Sequence, residues 1–299
     1  MRLPNLIIIA LSMVLVQYTI INPITAVNNF NASLSTLVFS LIVLSTVCVA
    51  AGGYIVNDLL DVKIDLINKP DKVIVGKRIS LATSWNLYWV LTAIGVLLGI
   101  IGAWYNKTNV LMSVAPLEAG LLWLYSSILK KYFLVGNLVV SFLCGLALFK
   151  PMLFNAPIVK VEGLVYLVLG YTAFAFMLTL IREIIKDMED IKGDEAYDCK
   201  TMPVVIGITA TKIIAAIFLL SVMLSLGWFQ YNQTLSDTFK QTDYLSFSYI
   251  GLFIQLPLII LLILLLKAKE SVDFHRASNI SKLIMVTGIL SMVVFYLLF

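Results

Sequence analysis

The stretch LSTLVFSLIVLSTVCVAAGGYIV, residues 34–56, carries no charge, and NDLLDVKIDLINKPDK, residues 57–72, follows it at once with four aspartates: Asp58, Asp61, Asp65 and Asp71. A helix needs roughly 20 apolar residues to cross about 30 Å of hydrocarbon, so the first part reads as a membrane span. The second part then places carboxylates at the mouth of that span, where charge is costly unless it has a use.

Eight further apolar blocks lie at 5–23, 82–104, 108–128, 133–150, 163–181, 204–228, 247–266 and 280–298. With 61% hydrophobic and 13% charged residues over 299 positions, the chain falls outside the range of soluble domains. Lipid offers no hydrogen bonds to an open backbone, so each block is predicted to be helical. The fold class is therefore all-α, a polytopic membrane protein of about nine transmembrane helices.

Basic residues set the orientation. Sixteen Lys and Arg fall at the N-terminus and in the connections after the second, fourth, sixth and eighth blocks, against Lys107, Lys150, Lys160 and Lys240 on the other side. The positive-inside rule places the N-terminus and the aspartate-bearing connections in the cytoplasm. The net charge of +4 belongs to that face, and no polybasic run points to nucleic acid. Cys48, Cys144 and Cys199 show no CxxC spacing, which argues against a disulfide framework or a zinc site. The first block is longer than a signal-peptide core and is read as a helix.

The aspartate pattern occurs twice. NDLLDVKID (57–65) and KDMEDIKGD (186–194) share the spacing D-x-x-D-x-x-x-D, so Asp58, Asp61 and Asp65 align with Asp187, Asp190 and Asp194. Both copies follow an even-numbered block on the same predicted face. The chain is thus one domain, residues 1–299, in two pseudo-repeated halves of roughly 1–132 and 133–299. On a continuous helix, positions i, i+3 and i+7 lie within an arc of about 60°, which would align each triplet on one face. One such triplet alone is most simply a solvated acidic helix end; two matching triplets favour a site.

All-oxygen ligands suit Mg2+, which is held by one or two carboxylates together with substrate phosphates. Six aspartates without His or Cys therefore imply a phosphate-bearing substrate, and Lys63, Lys69, Lys72, Lys77, Arg78, Arg182, Lys186 and Lys192 flank them. A charged head at the interface with a tail between helices describes a polyprenyl diphosphate. Departure of its diphosphate leaves an allylic cation for an acceptor to attack, in a cavity that excludes water. Tyr54, Tyr125, Phe174 and Phe176 are candidates to face that cation. Glu118, inside the fourth block, either serves the substrate or packs between helices. Lys212 is expected to snorkel to water, and His275 to lie solvated in a loop.

The residues NDLLDVKID with NKPDK, and REIIKDMEDIKGDEAYDCKTMP (182–203), resemble the UbiA superfamily of intramembrane prenyltransferases over nearly the whole chain. The second motif is most similar to the branch that prenylates archaeal-type ether lipids. RLPN (2–5), LYSSILKK (124–131) and VGNLVVSFLCG (135–145) add to the likeness, whereas DKVIVGKRIS (71–80) departs from the family's usual ending. The resemblance implies helices around a central cavity with both motifs over its cytoplasmic mouth. By the same resemblance, Asn57, Asp58, Asp61 and Asp65 hold one Mg2+ with the diphosphate, and Asp187, Asp190 and Asp194 the other. Lys69, Lys72, Arg182 and Lys186 bind substrate, and Arg2, Asn5, Tyr125, Lys130 and Asn137 line the donor or acceptor pocket.

The implied activity is transfer of a polyprenyl group, geranylgeranyl by preference, from its diphosphate to a lipid-soluble acceptor of the geranylgeranylglyceryl phosphate type. An aromatic quinone precursor is the second reading, and a transporter is the alternative from another class. A CDP-alcohol phosphotransferase is disfavoured, because its D-x-x-D-G-x-x-A-R signature meets Val62 and no Ala-Arg pair. The implied setting is an integral, multi-pass protein among membrane lipids with its site on the cytoplasmic side, in the inner membrane if bacterial.

Overall fold

The computed structural model describes residues 3–28, 34–155, 161–235 and 243–297. Its helices are α1 (Leu3–Val27), α2 (Thr36–Leu60), the short α3 (Val62–Asn68), α4 (Leu81–Tyr105), α5 (Asn109–Ser127) and α6 (Val135–Phe154). They continue with α7 (Gly163–Glu189), the short α8 (Ile191–Ala196), α9 (Met202–Leu235), α10 (Tyr244–Lys267) and α11 (Ser271–Tyr296). Among the described residues, the nine long helices are each long and apolar enough to cross a membrane, as the apolar blocks predict.

Local chemistry sets the helix ends and irregularities. The Ser35 and Ser80 hydroxyls accept from the backbone N–H groups of Val38 and Thr83 and cap α2 and α4, satisfying donors that the first turn leaves open. Two widened turns, Val16–Ile21 and Gly251–Gln255, come immediately before the Asn22-Pro23 and Leu256-Pro257 pairs. Proline lacks an N–H and crowds the carbonyl four residues back. A π-turn opens the ladder where that carbonyl lies.

Small residues bring α2 and α4 into close contact. A Cβ on Gly95 would stand 2.9 Å from the Val49 nitrogen, and one on Gly99 would stand 2.7 Å from the Ser45 hydroxyl. That hydroxyl donates to the Gly95 carbonyl at 2.6 Å, a bond that has no competitor in hydrocarbon. On the other side of the bundle, α7, α9, α10 and α11 share a core that includes Ile181, Ile184, Leu219, Leu258, Leu261, Phe274 and Ile284. The Lys212 ammonium donates to the Ala268 carbonyl at 2.7 Å. It therefore caps the end of α10.

Several helices outrun the apolar blocks that mark them, three of them at the aspartate-bearing end of the bundle. Helix α2 continues to Leu60, α7 to Glu189, and α11 begins at Ser271, nine residues before the predicted start. Hydropathy measures the thickness of lipid to be crossed and says nothing about where the backbone ladder stops. Each extension carries polar residues toward the same end of the bundle.

Candidate active site

Both aspartate motifs sit at a break between a long helix and a short one. Asp61 (φ −92°, ψ 1°) ends α2 and begins α3; Asp190 (φ −100°, ψ 8°) ends α7 and begins α8. The local bonds match as well: the N–H groups of Asp61 and Asp190 each donate four residues back, to Asn57 and Lys186, at 2.9 Å. This corrects the expectation of a stripe on one continuous helix. The first aspartate of each triplet lies in the last turn of a span, the second at the bend, and the third on the short helix.

The two short helices touch. The Gly193 N–H donates to the Asn68 side-chain oxygen at 2.8 Å, and a Cβ on Gly193 would collide with that amide. The triplets thereby face one cavity of about 660 Å3, and all six aspartates line it. Asn5, Asn57, Lys69, Tyr125, Lys130, Arg182 and Lys186 line it too.

Each central aspartate holds an ammonium. Lys130 pairs with Asp61 and donates to the Asn57 side chain at 3.2 Å. Lys69 bridges Asp190 at 2.7 Å and Glu189 at 3.0 Å. Burial pulls the Lys69 ammonium down, but Asp190 and Glu189 outweigh it and leave the group raised. Burial pushes the Asp194 carboxyl up to about 6, with Asp190 and Asp61 adding to the rise while the Thr201 hydroxyl, 3.0 Å away, opposes it. Asp61 therefore acts on Asp194 from the opposite motif.

Other predicted residues fall in different places. Asn137 is buried outside the cavity wall and donates to Asp187 at 2.8 Å, so it orients a carboxylate. Asn5 donates to the Tyr54 hydroxyl at 3.3 Å, and both line the cavity. Tyr125 lines it as well, whereas Phe174 and Phe176 pack against the apolar core and do not. Arg2 lies outside the described residues, and of Lys72 only the backbone is described.

Several residues at the site carry no signal in the aspartate pattern. Glu183 takes Arg182 at 2.7 Å and Lys186 at 3.0 Å. Glu189 takes His275 at 3.0 Å as well as Lys69. His275 thus stands in the first turns of α11 and lines the cavity, where a solvated loop residue was expected. In the depth of the cavity Glu118 pairs with Lys150 at 2.6 Å, and Lys150 also donates to Thr46 at 2.8 Å. Lys150 is thus buried inside α6, where its place in the sequence had suggested the outer surface.

Among the described residues, no three His, Cys, Asp or Glu side chains close into a ready metal cage. Six carboxylates facing a common space fit a hard divalent ion that keeps waters and is completed by phosphate oxygens. They do not fit a soft metal.

Among the described residues, nine membrane-length helices with paired aspartate motifs over one polar-mouthed cavity define a class of integral membrane protein with a carboxylate-lined site at the end of its bundle. The chain belongs to the UbiA prenyltransferase family, whose model matches residues 6–285. It is 36% identical over 184 residues to a digeranylgeranylglyceryl phosphate synthase of Sulfurisphaera tokodaii, covering 61% of this chain and 62% of that relative. It is 30% identical over 251 residues to a digeranylgeranylglyceryl phosphate synthase of Methanopyrus kandleri, covering 84% and 83%. The matched segment thus spans less than two thirds of the first relative's length. A solved digeranylgeranylglyceryl phosphate synthase superposes with a TM-score of 0.64 at 22% identity, covering 99% of this chain and 95% of that one. A UbiA homologue from Archaeoglobus fulgidus, solved with GPP and Mg2+, superposes with a TM-score of 0.55 at 16% identity, covering 96% and 95%. Both superpositions speak to the fold.

Proposed function

We propose that this protein transfers a geranylgeranyl group from its diphosphate to the free hydroxyl of a geranylgeranylglyceryl phosphate-type lipid, in a Mg2+-dependent reaction. The observation that carries this reading is the convergence of two D-x-x-D-x-x-x-D motifs on one cavity. The names of the archaeal relatives support the acceptor, and the GPP and Mg2+ of the Archaeoglobus homologue support a prenyl diphosphate donor and the ion.

In this reading Asp58, Asp61 and Asp65 would hold one Mg2+ and Asp187, Asp190 and Asp194 a second. Bound Mg2+ would supply positive charge against the diphosphate. Asn57, Lys69, Lys72, Lys130, Arg182 and Lys186 hold the substrates' phosphates. Asn137 keeps Asp187 turned toward the cavity, and Arg2 and Asn5 complete the wall. Tyr54 and Tyr125 turn aromatic faces to the allylic carbon as positive charge develops. The bond from C1 to the diphosphate oxygen breaks with its electron pair, and the acceptor hydroxyl oxygen bonds to C1. The hydroxyl proton passes to a departing diphosphate oxygen. The enclosing helices exclude water, which would otherwise capture the cation.

The single domain works as two halves that meet near residue 132, each supplying one motif, and its site opens to the cytoplasm. The matching helix breaks at Asp61 and Asp190 support that division.

The deciding experiment offers purified protein labelled geranylgeranyl diphosphate and Mg2+ with geranylgeranylglyceryl phosphate and an aromatic quinone precursor in parallel. Label on the glycerol lipid is expected. Label confined to the ring would move the protein to quinone prenylation, and no diphosphate release with either acceptor would remove the enzyme reading.

A further inference from the structure

The first turns of α11 carry His275, Ser278, Asn279 and Lys282, spaced i, i+3, i+4 and i+7, and all four line the cavity; the next lining residue on the helix is the apolar Met285. That spacing puts four polar groups on one face of a helix. The stripe holds no carboxylate, whereas the α2, α3, α7 and α8 walls hold all six motif aspartates. The helix's own acid, Asp273, is turned back to accept from the Lys269 and Glu270 N–H groups.

The stripe is held in fixed register against α7. The Ser271 hydroxyl donates to the Glu189 carbonyl at 3.0 Å, and the His275 ring meets the Glu189 carboxylate at 3.0 Å. Deeper, Phe174 packs against Gly288 and Tyr171 bonds Ser291 at 2.8 Å. These antiparallel pairs place Arg182, seven residues before Glu189, level with Lys282, seven residues after His275. At about 1.5 Å per residue the backbones of both residues lie about 10 Å deeper than the Glu189–His275 contact, and both residues line the cavity. Arg182 gives one nitrogen to Glu183, while its Nε is buried with no partner among the described residues. A cation set in a span facing a cavity is a functional group by default.

Depth decides what this corner takes. The donor's C1 lies on the tail side of its diphosphate, so an acceptor must bring its hydroxyl to a point deeper than the metal motifs, with its phosphate a few bonds away. A cationic, hydrogen-bonding corner on a wall without carboxylates of its own suits that phosphate, and Glu183 on the facing helix shares Arg182 there.

We propose that Asn279 and Lys282 of α11, with Arg182 of α7, bind the phosphate monoester of the glycerol-lipid acceptor. This rests on the activity proposed above and adds to it a binding site separate from the diphosphate site.

The test measures KM for each substrate with full-length Lys282→Ala, Lys282→Arg and Asn279→Ala, using geranylgeranylglyceryl phosphate and its dephosphorylated, neutral counterpart. KM for the phosphorylated acceptor should rise about tenfold in both alanine variants, a loss of one hydrogen bond to a charged group. KM for the donor should stay within twofold, Lys282→Arg should recover most of the loss, and the neutral acceptor should show no such rise. A rise in donor KM instead, or equal effects on both acceptors, overturns the subsite while leaving the transferase reading standing. A wild-type protein that neither binds nor prenylates the phosphorylated glycerol lipid overturns both.

Discussion

The six aspartates are recognisable because chemistry constrains their spacing, and the expected cost of losing one is correspondingly large. Asp58→Ala and Asp187→Ala each remove a carboxyl group that the proposed function places on Mg2+ and little packing, so turnover should fall about 100-fold or more, while detergent-solubilised protein melts near the wild-type temperature. Near-normal rates in both variants would sink the two-metal account. Glu118 and Lys150 form a different kind of pair. They are buried on both sides, and removing one partner leaves an uncompensated charge. Glu118→Gln should therefore lower stability by about 3–5 kcal/mol, whereas the double change Glu118→Leu with Lys150→Met should be close to neutral. Thermal unfolding of the three proteins decides this, and a double variant as unstable as the single one would give the pair a role beyond mutual neutralisation. Partnerships of this kind are illegible in sequence. Nothing in the positions of Glu189, Lys69 and His275 announces that one carboxylate meets both side chains.

At the scale of helices, the apolar blocks located every span, because hydrocarbon thickness dictates their length. What escaped was how far α2, α7 and α11 run into the polar zone. The signal for α11 was present: residues 275, 278, 279 and 282 are polar with helical period, a pattern that resembles loop composition until the helix is known to face a cavity. The breaks at Asp61 and Asp190 were equally hidden, since D-x-x-D-x-x-x-D fits an unbroken helix as well as a bent one. The contact between α3 and α8 makes the bend testable. Gly193→Val would push its side chain into the Asn68 amide and drive the two short helices apart. A displacement of about 1 Å between catalytic groups costs up to about 100-fold in rate, so kcat should drop by that order and half-saturating Mg2+ should rise. Unchanged Mg2+ dependence would mean that the motifs do not depend on this contact for their spacing.

For the whole molecule, the excess of Lys and Arg on one face predicts a sidedness that can be measured directly. With Cys48, Cys144 and Cys199 replaced by Ser, a membrane-impermeant maleimide added to right-side-out vesicles should label Lys107→Cys, between α4 and α5, and spare Lys269→Cys, between α10 and α11. The reverse pattern would turn the aspartate mouth to the outside and exclude a cytoplasmic donor. The large-scale plan was legible because lipid imposes it and because the two motifs repeat; the wall completed by α11 was not, since it joins residues from opposite ends of the described chain. That wall has a consequence for biosynthesis. A nascent chain that has threaded eight spans from the ribosome already carries both aspartate motifs, yet the chamber lacks one side. Only when the ninth span inserts and Ser271 and His275 latch onto Glu189 is the chamber closed, so an unfinished polypeptide lacks the shelter that the proposed carbocation requires.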